Sequence, residues 1–252
     1  MLNEERRRHI LSIVHGEGRI RVREISKSLG VSQITIRNDL NSLEMRGLLQ
    51  RTHGGALPVY SGAPIDQRLI ETVNHQAELY RIGNAAAQIV QEGQCVMLDS
   101  GVATAAIACS LKRLANLTII TNDVNIASEL ADTNFEVILT GGILRKKTCC
   151  LVGPFVEDML RQIHADILFI NVDCFNVDMG LTTRNLMDAR ASRAMCKVST
   201  RVIAAGDSTR FNRYTLSRIL PASAIHHIVT DINLPKAIGE ALATLNIKLT
   251  LV

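Results

Sequence analysis

Val31-Ser32-Gln33-Ile34-Thr35-Ile36-Arg37-Asn38-Asp39-Leu40-Asn41-Ser42-Leu43 is the stretch that decides how this chain folds. Ser32 is placed to cap a helix running from Gln33 to about Met45. Ile36, Leu40 and Leu43 fall at i, i+4 and i+7 and make an apolar stripe for a core. At ~100° per residue, Ile34, Asn38 and Asn41 lie roughly opposite, with Gln33 and Arg37 on the flanks. A branched apolar residue set outward among Gln, Arg and Asn is unusual for a face that meets only water. It suits a helix lying in a DNA major groove, where a methyl group can meet a thymine methyl. There Gln and Asn pair with adenine, and Arg with guanine or phosphate.

The flanking residues extend this unit in both directions. Upstream, Ile10, Leu11 and Val14 recur at helical spacing from about Glu4 to His15, alongside Arg6, Arg7 and Arg8. Gly16 and Gly18 end that helix. A shorter one, Val22 to Leu29, puts Ile25 and Leu29 on one face, and Gly30 frees the backbone for a tight turn. Two helices joined by a three- or four-residue turn containing Gly form a helix-turn-helix. Downstream, Leu48–Arg51 and Ala56-Leu57 flank Gly54-Gly55 and read as a β-hairpin, a wing whose Arg51 or His53 reaches the DNA backbone. The recognition helix makes its base contacts chiefly through its N-terminal part. The DNA-facing residues expected are therefore Arg23, Ser32, Gln33, Ile34, Thr35, Arg37, Asn38, Arg51 and His53. Residues 1–60 hold ten Lys/Arg against six Asp/Glu, so the whole net charge of +4 falls there and the rest of the chain is balanced. A basic module on a neutral one points to a polyanionic partner. The plainer reading of three helices and a hairpin is an interaction domain without DNA.

Residues 1–58 are thus read as the DNA-binding domain and 59–75, with Pro64 and Gly62, as a linker. Residues 76–252 alternate short apolar runs with helical stretches. The runs are Cys95–Leu98, Thr118–Ile120, Glu136–Leu139, Ile167–Val172, Val202–Ala205, Ile228–Thr230 and Lys248–Val252. Alternation of this kind predicts an α/β domain on an open, mostly parallel sheet. Small polar residues collect after five strands: Asp99, Ser100 and Gly101, then Thr121 and Asn122, then Thr140, Gly141 and Gly142, then Asp173, then Gly206, Asp207 and Ser208. The carboxyl ends of strands are where open α/β sheets bind ligands. Ser100, Gly101 and Thr104 lead into a helix whose first N–H groups suit a phosphate. No G-x-G-x-x-G and no Walker lysine occurs.

Composition narrows the remaining classes. With 252 residues, 47% hydrophobic and 21% charged, the chain is not disordered. No apolar run reaches the ~18 residues of a membrane span. Its charged start leads into no signal-type core, so a cytoplasmic protein is expected. The six cysteines form no C-x-x-C pair, so neither a disulfide framework nor a metal site is expected. Buried reduced thiols fit best. Cys149 and Cys150, beside Lys146 and Lys147, are the place where a lowered thiol pKa would make a redox switch.

The sequence also resembles the DeoR family of bacterial transcription regulators. The N-terminal match is carried by Glu5-Arg6-Arg7, Val31-Ser32-x-x-Thr35-Ile36-Arg37-Asn38-Asp39-Leu40, Leu43-Glu44 and Arg51-x-His53-Gly54-Gly55-Ala56. The C-terminal match is carried by Asp99-Ser100-Gly101, Thr121-Asn122, Leu139-Thr140-Gly141-Gly142, Leu151-Val152-Gly153, Val172-Asp173, Gly180-Leu181-Thr182-Thr183-x-Asn185 and Asp207-Ser208. The resemblance implies a winged helix-turn-helix followed by a sensor domain similar in fold to ribose-5-phosphate isomerase. It further implies a phosphorylated sugar as effector, whose binding lowers operator affinity. Met195-Cys196 and Phe211-Asn212-Arg213 look similar to the family's amino-sugar regulators. Where the family carries Ser-Gly-Thr-Thr-Thr, this chain has Ser100-Gly101-Val102-Ala103-Thr104. Where it carries two lysines, this chain has Ser192 and Arg210, and Arg210 keeps a charge that can hold phosphate bidentately. A repressor acting as a homodimer or homotetramer on paired half-sites is the expected function, with no cofactor and no membrane partner. Two alternatives remain at this point: a regulator with a degenerate, effector-independent sensor, and a sugar-phosphate isomerase. Against the isomerase, the second acid of the Asp173 loop is Asn176, which cannot act as a base.

Overall fold

A computed structural model describes residues 3–17, 19–45, 48–52, 54–58 and 75–252. The chain divides into two compact units, Met1–Tyr80 and Arg81–Val252. His53 and residues 59–74 of the expected linker lie outside the described residues.

The first unit runs α1 (Asn3–Glu17), β1 (Ile20–Arg21), α2 (Val22–Leu29), α3 (Gln33–Met45), β2 (Leu49–Thr52) and β3 (Gly55–Pro58). Ile36, Leu40 and Leu43 are buried with Ile10 and Val14 of α1, Ile25 of α2 and Leu49 and Ala56 of the hairpin. At ~1.5–3 kcal/mol for each aliphatic side chain removed from water, the α3 stripe outweighs any propensity difference along the helix and sets which face turns in. Gly30 ends α2 in the left-handed region (φ 64°), its N–H donating to the Ser26 carbonyl. The hairpin is a three-stranded sheet, order β1-β3-β2. Here the structure corrects the sequence reading, which put Gly55 in the turn. Gly55 lies in β3 opposite Arg21 of β1. A Cβ there would sit 1.7 Å from the Ile20 carbonyl oxygen, so the backbones meet only because this residue has no side chain. Two-residue β1 has no hydrophobic alternation that could have announced it.

In the second unit the seven strands read from the sequence form one parallel sheet. After α4 (Gln76–Ala87), within which the division between the units falls, come β4 (Cys95–Leu98), α5 (Val102–Leu111), β5 (Thr118–Thr121), α6 (Val124–Glu129) and β6 (Glu136–Leu139). A hairpin, β7 (Ile143–Arg145) and β8 (Cys150–Val152), precedes α7 (Pro154–Leu160) and β9 (Ala165–Asn171). Then follow β10 (Cys174–Asn176), β11 (Gly180–Thr183), α8 (Leu186–Lys197), β12 (Ser199–Ala205), β13 (Ser217–Leu220), β14 (His227–Thr230), α9 (Lys236–Thr244) and β15 (Lys248–Leu251). The large sheet has the order β15-β14-β12-β9-β4-β5-β6, and β10-β11-β13 form a separate small sheet. The chain lays β4, β5 and β6 in one direction, then returns to place β9 on the other side of β4. This reversal makes the β4/β9 boundary a topological switch point, where diverging loops leave a crevice at the strands' carboxyl ends. Phe169 and Ile170 of β9, Met97 and Leu98 of β4 and Ile203 and Ala204 of β12 are wholly buried, as strands covered on both faces require.

Candidate nucleic-acid interface and sensor site

In the first unit the outward face of α3 is laid out as the periodicity predicts. Gln33, Arg37, Asn38 and Asn41 are exposed, and Ile34 is 68% exposed. Ser32 Oγ accepts the Thr35 N–H at 3.1 Å and lies 2.9 Å from Thr35 Oγ1. Both predicted DNA-facing hydroxyls therefore belong to the cap that starts the helix. Arg23 is exposed on α2. Arg51 is half-buried: its guanidinium donates to Asn41 Oδ1, and its backbone N–H donates to Glu44 Oε1 at 2.9 Å. The wing strand is thereby hydrogen-bonded to the recognition helix.

Asp39, part of the quoted motif, has a role that only the fold makes visible. Asp39 is buried and faces α1, where Arg6 Nε lies 2.6 Å from one carboxylate oxygen and Arg7 Nε 3.0 Å from the other. This clamp sets the recognition helix on α1. Its spacing, 33 and 32 residues, has no local signature in sequence.

In the second unit the predicted loops gather at the carboxyl edge of the sheet. Asp99, at the end of β4, is buried; Ser192 of α8 donates to its carboxylate at 3.2 Å. Burial pushes its pKa up to about 7, against the lowering effect of hydrogen bonds from Ser100 and Ser192. The next loop brings Asp123, which caps α6 through the N–H groups of Asn125 and Ile126. Burial raises its pKa to about 6, opposed by backbone hydrogen bonds that include one from Gly101. Gly101 packs against Asn171 of β9: a Cβ would lie 2.2 Å from the Asn171 side chain. Asn171 Oδ1 in turn accepts the Ala103 N–H at 3.1 Å. The first amides of α5, expected to meet a phosphate, are thus partly engaged by Asp123 and Asn171.

Several of the predicted residues hold the loops together. Thr104 and Thr121 are fully buried, donating to the carbonyls of Gly101 (2.9 Å) and Leu98 (2.8 Å). Asn122 Nδ2 donates to the Leu151 carbonyl at 3.1 Å, and its buried Oδ1 has no hydrogen-bond partner among the described residues. Thr140 is buried beyond β6, and a Cβ on Gly142 would meet Val156 at 2.7 Å. Across the switch point, Asp173 accepts from Thr183 Oγ1 at 3.0 Å, and Arg210 Nε lies 3.2 Å from the buried carboxylate of Asp207. Cys150 and Asp188, absent from the expected set, complete the β4 side. The thiol lies 3.7 Å from the Asp188 carboxylate, which Arg145 pairs at 2.6 Å.

All six cysteines are free. The expected lowering of a thiol pKa does not hold at Cys150, where burial pushes it up to about 11; Cys109 and Cys196 rise to about 12 for the same reason. Proximity of lysines in sequence did not become proximity to that sulfur.

A helix-turn-helix unit in one chain with a parallel α/β unit makes this a two-domain DNA-binding transcription regulator, and its relatives are transcription regulators, not enzymes. The chain belongs to the DeoR family: residues 6–61 match the DeoR-like helix-turn-helix domain, and residues 74–232 match the DeoR C terminal sensor domain. It is 34% identical over 251 residues to a protein of Escherichia coli O157:H7 described as an aga operon transcriptional repressor, covering 98% of this chain and 93% of that one. It is 34% identical to the HTH-type transcriptional regulator GlpR of Haloferax volcanii, covering 92% and 91%. The glycerol-3-phosphate regulon repressor of Escherichia coli K12 is 29% identical, with 100% of each chain covered. Among solved structures, ribose 5 phosphate isomerase A from Neisseria gonorrhoeae is similar over 56% of this chain and 54% of its own, with TM-score 0.40 and 12% identity. Among the described residues no helix is long and apolar enough to cross a membrane.

Proposed function

We propose that the protein is a repressor of a sugar-catabolic operon that binds double-stranded operator DNA through α3 and is released by a phosphorylated sugar. The observation that carries the reading is the α3 surface, where Ile34, Arg37, Asn38 and Asn41 are exposed while the one acid of that helix's middle turn, Asp39, points inward. A face without exposed carboxylate along its first two turns meets phosphates and base edges without repulsion. In this reading two or four copies present paired helices to half-sites about one helical turn apart. The effector sits at the switch point, with Asp99 and Asp173 on sugar hydroxyls and Arg210 on the phosphate. Its differential affinity for two arrangements of the protein, a few kcal/mol, is enough to empty the operator.

Fluorescence anisotropy on DNA from upstream of the protein's own gene tests this, at fixed salt with a panel of sugar phosphates. Binding released by one compound is the expected result. Binding that no sugar phosphate alters would favour an effector-independent regulator. That second reading has its own support in Thr104 and Thr121, whose hydroxyls are engaged inside the protein. No sequence-preferring binding would refute both.

A further inference from the structure

Helix α8 has two chemically different faces. Asp188, Ser192 and Met195 fall at i, i+4 and i+7 and look toward the switch-point site and the core: Asp188 pairs with Arg145, Ser192 donates to Asp99, and Met195 is wholly buried. Arg190, Arg193 and Lys197, at i, i+3 and i+7, lie on the opposite side. They border a cleft of about 350 Å³ between α7 and α8, into which Arg161 also projects from the end of α7. Such a volume lies in the range of roughly 300–1,000 Å³ that holds small molecules.

The charges in this cleft are unequally matched. Arg190 is paired with Glu157 at 2.9 Å, and Arg161 with Asp158. Arg193 donates to the Arg218 carbonyl at 2.5 Å, which satisfies an N–H group without neutralising the charge. Lys197 is exposed, and among the described residues no carboxylate pairs with it or with Arg193. Two cations four residues apart on one helix repel, and a bound anion relieves that repulsion. Position in the last turns of α8 is favourable for cations in its own right, but it does not create a concave space or line it from a second helix. Ala194 and Val198, both partly exposed, add apolar surface to the same cleft, over the wholly buried Leu160. Cations beside apolar surface suit a molecule with several phosphates and an organic ring, and the volume suits one small molecule, not a nucleic-acid duplex.

We propose that the α7/α8 cleft is a second ligand site, separate from the switch-point site, which takes a small organic polyphosphate with Arg193 and Lys197 as its main anion contacts. The proposal does not depend on the sugar-phosphate reading, because none of its contacts faces Asp99.

Isothermal titration of the full chain with adenosine triphosphate, and separately with inorganic tripolyphosphate, at about 150 mM salt tests it. Expected is saturable binding of adenosine triphosphate, one per chain, weakened at least about tenfold by Arg193→Ala/Lys197→Ala and by Lys197→Glu alone. Unchanged circular dichroism of either variant keeps the comparison valid, and both substituted side chains reach solvent. Hydrogen exchange should slow in α7 and α8 on binding. Absence of saturable binding, binding indifferent to both variants, or protection confined to other elements would each overturn the assignment. Equal affinity for tripolyphosphate would overturn its organic part. Retention of random-sequence DNA through these two residues, with no response to adenosine triphosphate, would overturn it in favour of a polymeric partner.

Discussion

Replacing Asp39 by Ala tests the claim that the recognition helix is set on α1 by charge. The carboxylate is buried, with Arg6 at 2.6 Å and Arg7 at 3.0 Å, and the two arginine side chains are 8% and 23% exposed. Removing one partner of a buried ion pair costs about 3–5 kcal/mol. Arg7 retains access to water, which places the loss near the lower figure, about 3 kcal/mol. At 1.36 kcal/mol per decade that is about two decades in the opening equilibrium of α1 and α3. Hydrogen exchange read by mass spectrometry on the full chain should show protection in those helices falling by roughly a hundredfold, while β4 and β9 keep theirs. Adding Arg6→Met to Asp39→Ala separates the causes. If the loss of charge compensation at Arg6 is responsible, the second change restores part of the protection; if lost packing is responsible, protection falls further. A further fall, or a loss below about threefold for Asp39→Ala alone, would refute the reasoning.

Arg37→Ala removes an exposed side chain and should weaken operator binding by about 10- to 100-fold, as for one base or phosphate contact of ~1–3 kcal/mol, with melting temperature unchanged. Anisotropy against salt concentration would show a shallower slope if the contact is to phosphate. Gly55→Ala drives a Cβ into the Ile20 carbonyl, so the first unit should lose more than the ~1–3 kcal/mol typical of overpacking, seen as collapse of exchange protection in β3. Asp99 carries a pKa raised to about 7 by burial, against about 3.9 in an unfolded chain. The folded state therefore binds the extra proton between those values, and stability falls as pH rises from about 4 through 7. Asp99→Asn should accordingly raise the melting temperature of the sensor unit at pH 8 and change it little at pH 5; an equal shift at both pH values would contradict the assignment. Asp123, raised to about 6, adds a slope in the same direction, and His227, lowered to about 4 by burial, opposes both below about pH 6.5.

Local periodicity and turn chemistry determined a large part of this protein. The α3 stripe, the Ser32 cap, the Gly30 turn and the seven strands of the parallel sheet all follow from interactions within a few residues, or from strands buried on both faces that must read as apolar runs. The loop positions after those strands followed too, since the carboxyl edge of a parallel sheet is set by chain direction. Tertiary structure alone decided what each polar residue in those loops does. Thr104 and Thr121 read as ligand groups and turned out to tie backbone, because a hydroxyl's role depends on which carbonyl lies within 3 Å. Asp188 and Cys150 joined Asp99 from 89 and 51 residues away along the chain, and Asp39 found Arg6 and Arg7 on another helix. The short strands β1, β7, β8, β10, β11 and β13 were likewise invisible, being two to four residues long and held by partners rather than by their own pattern. Pairings across such distances are fixed by packing of the whole core, which no window of sequence contains.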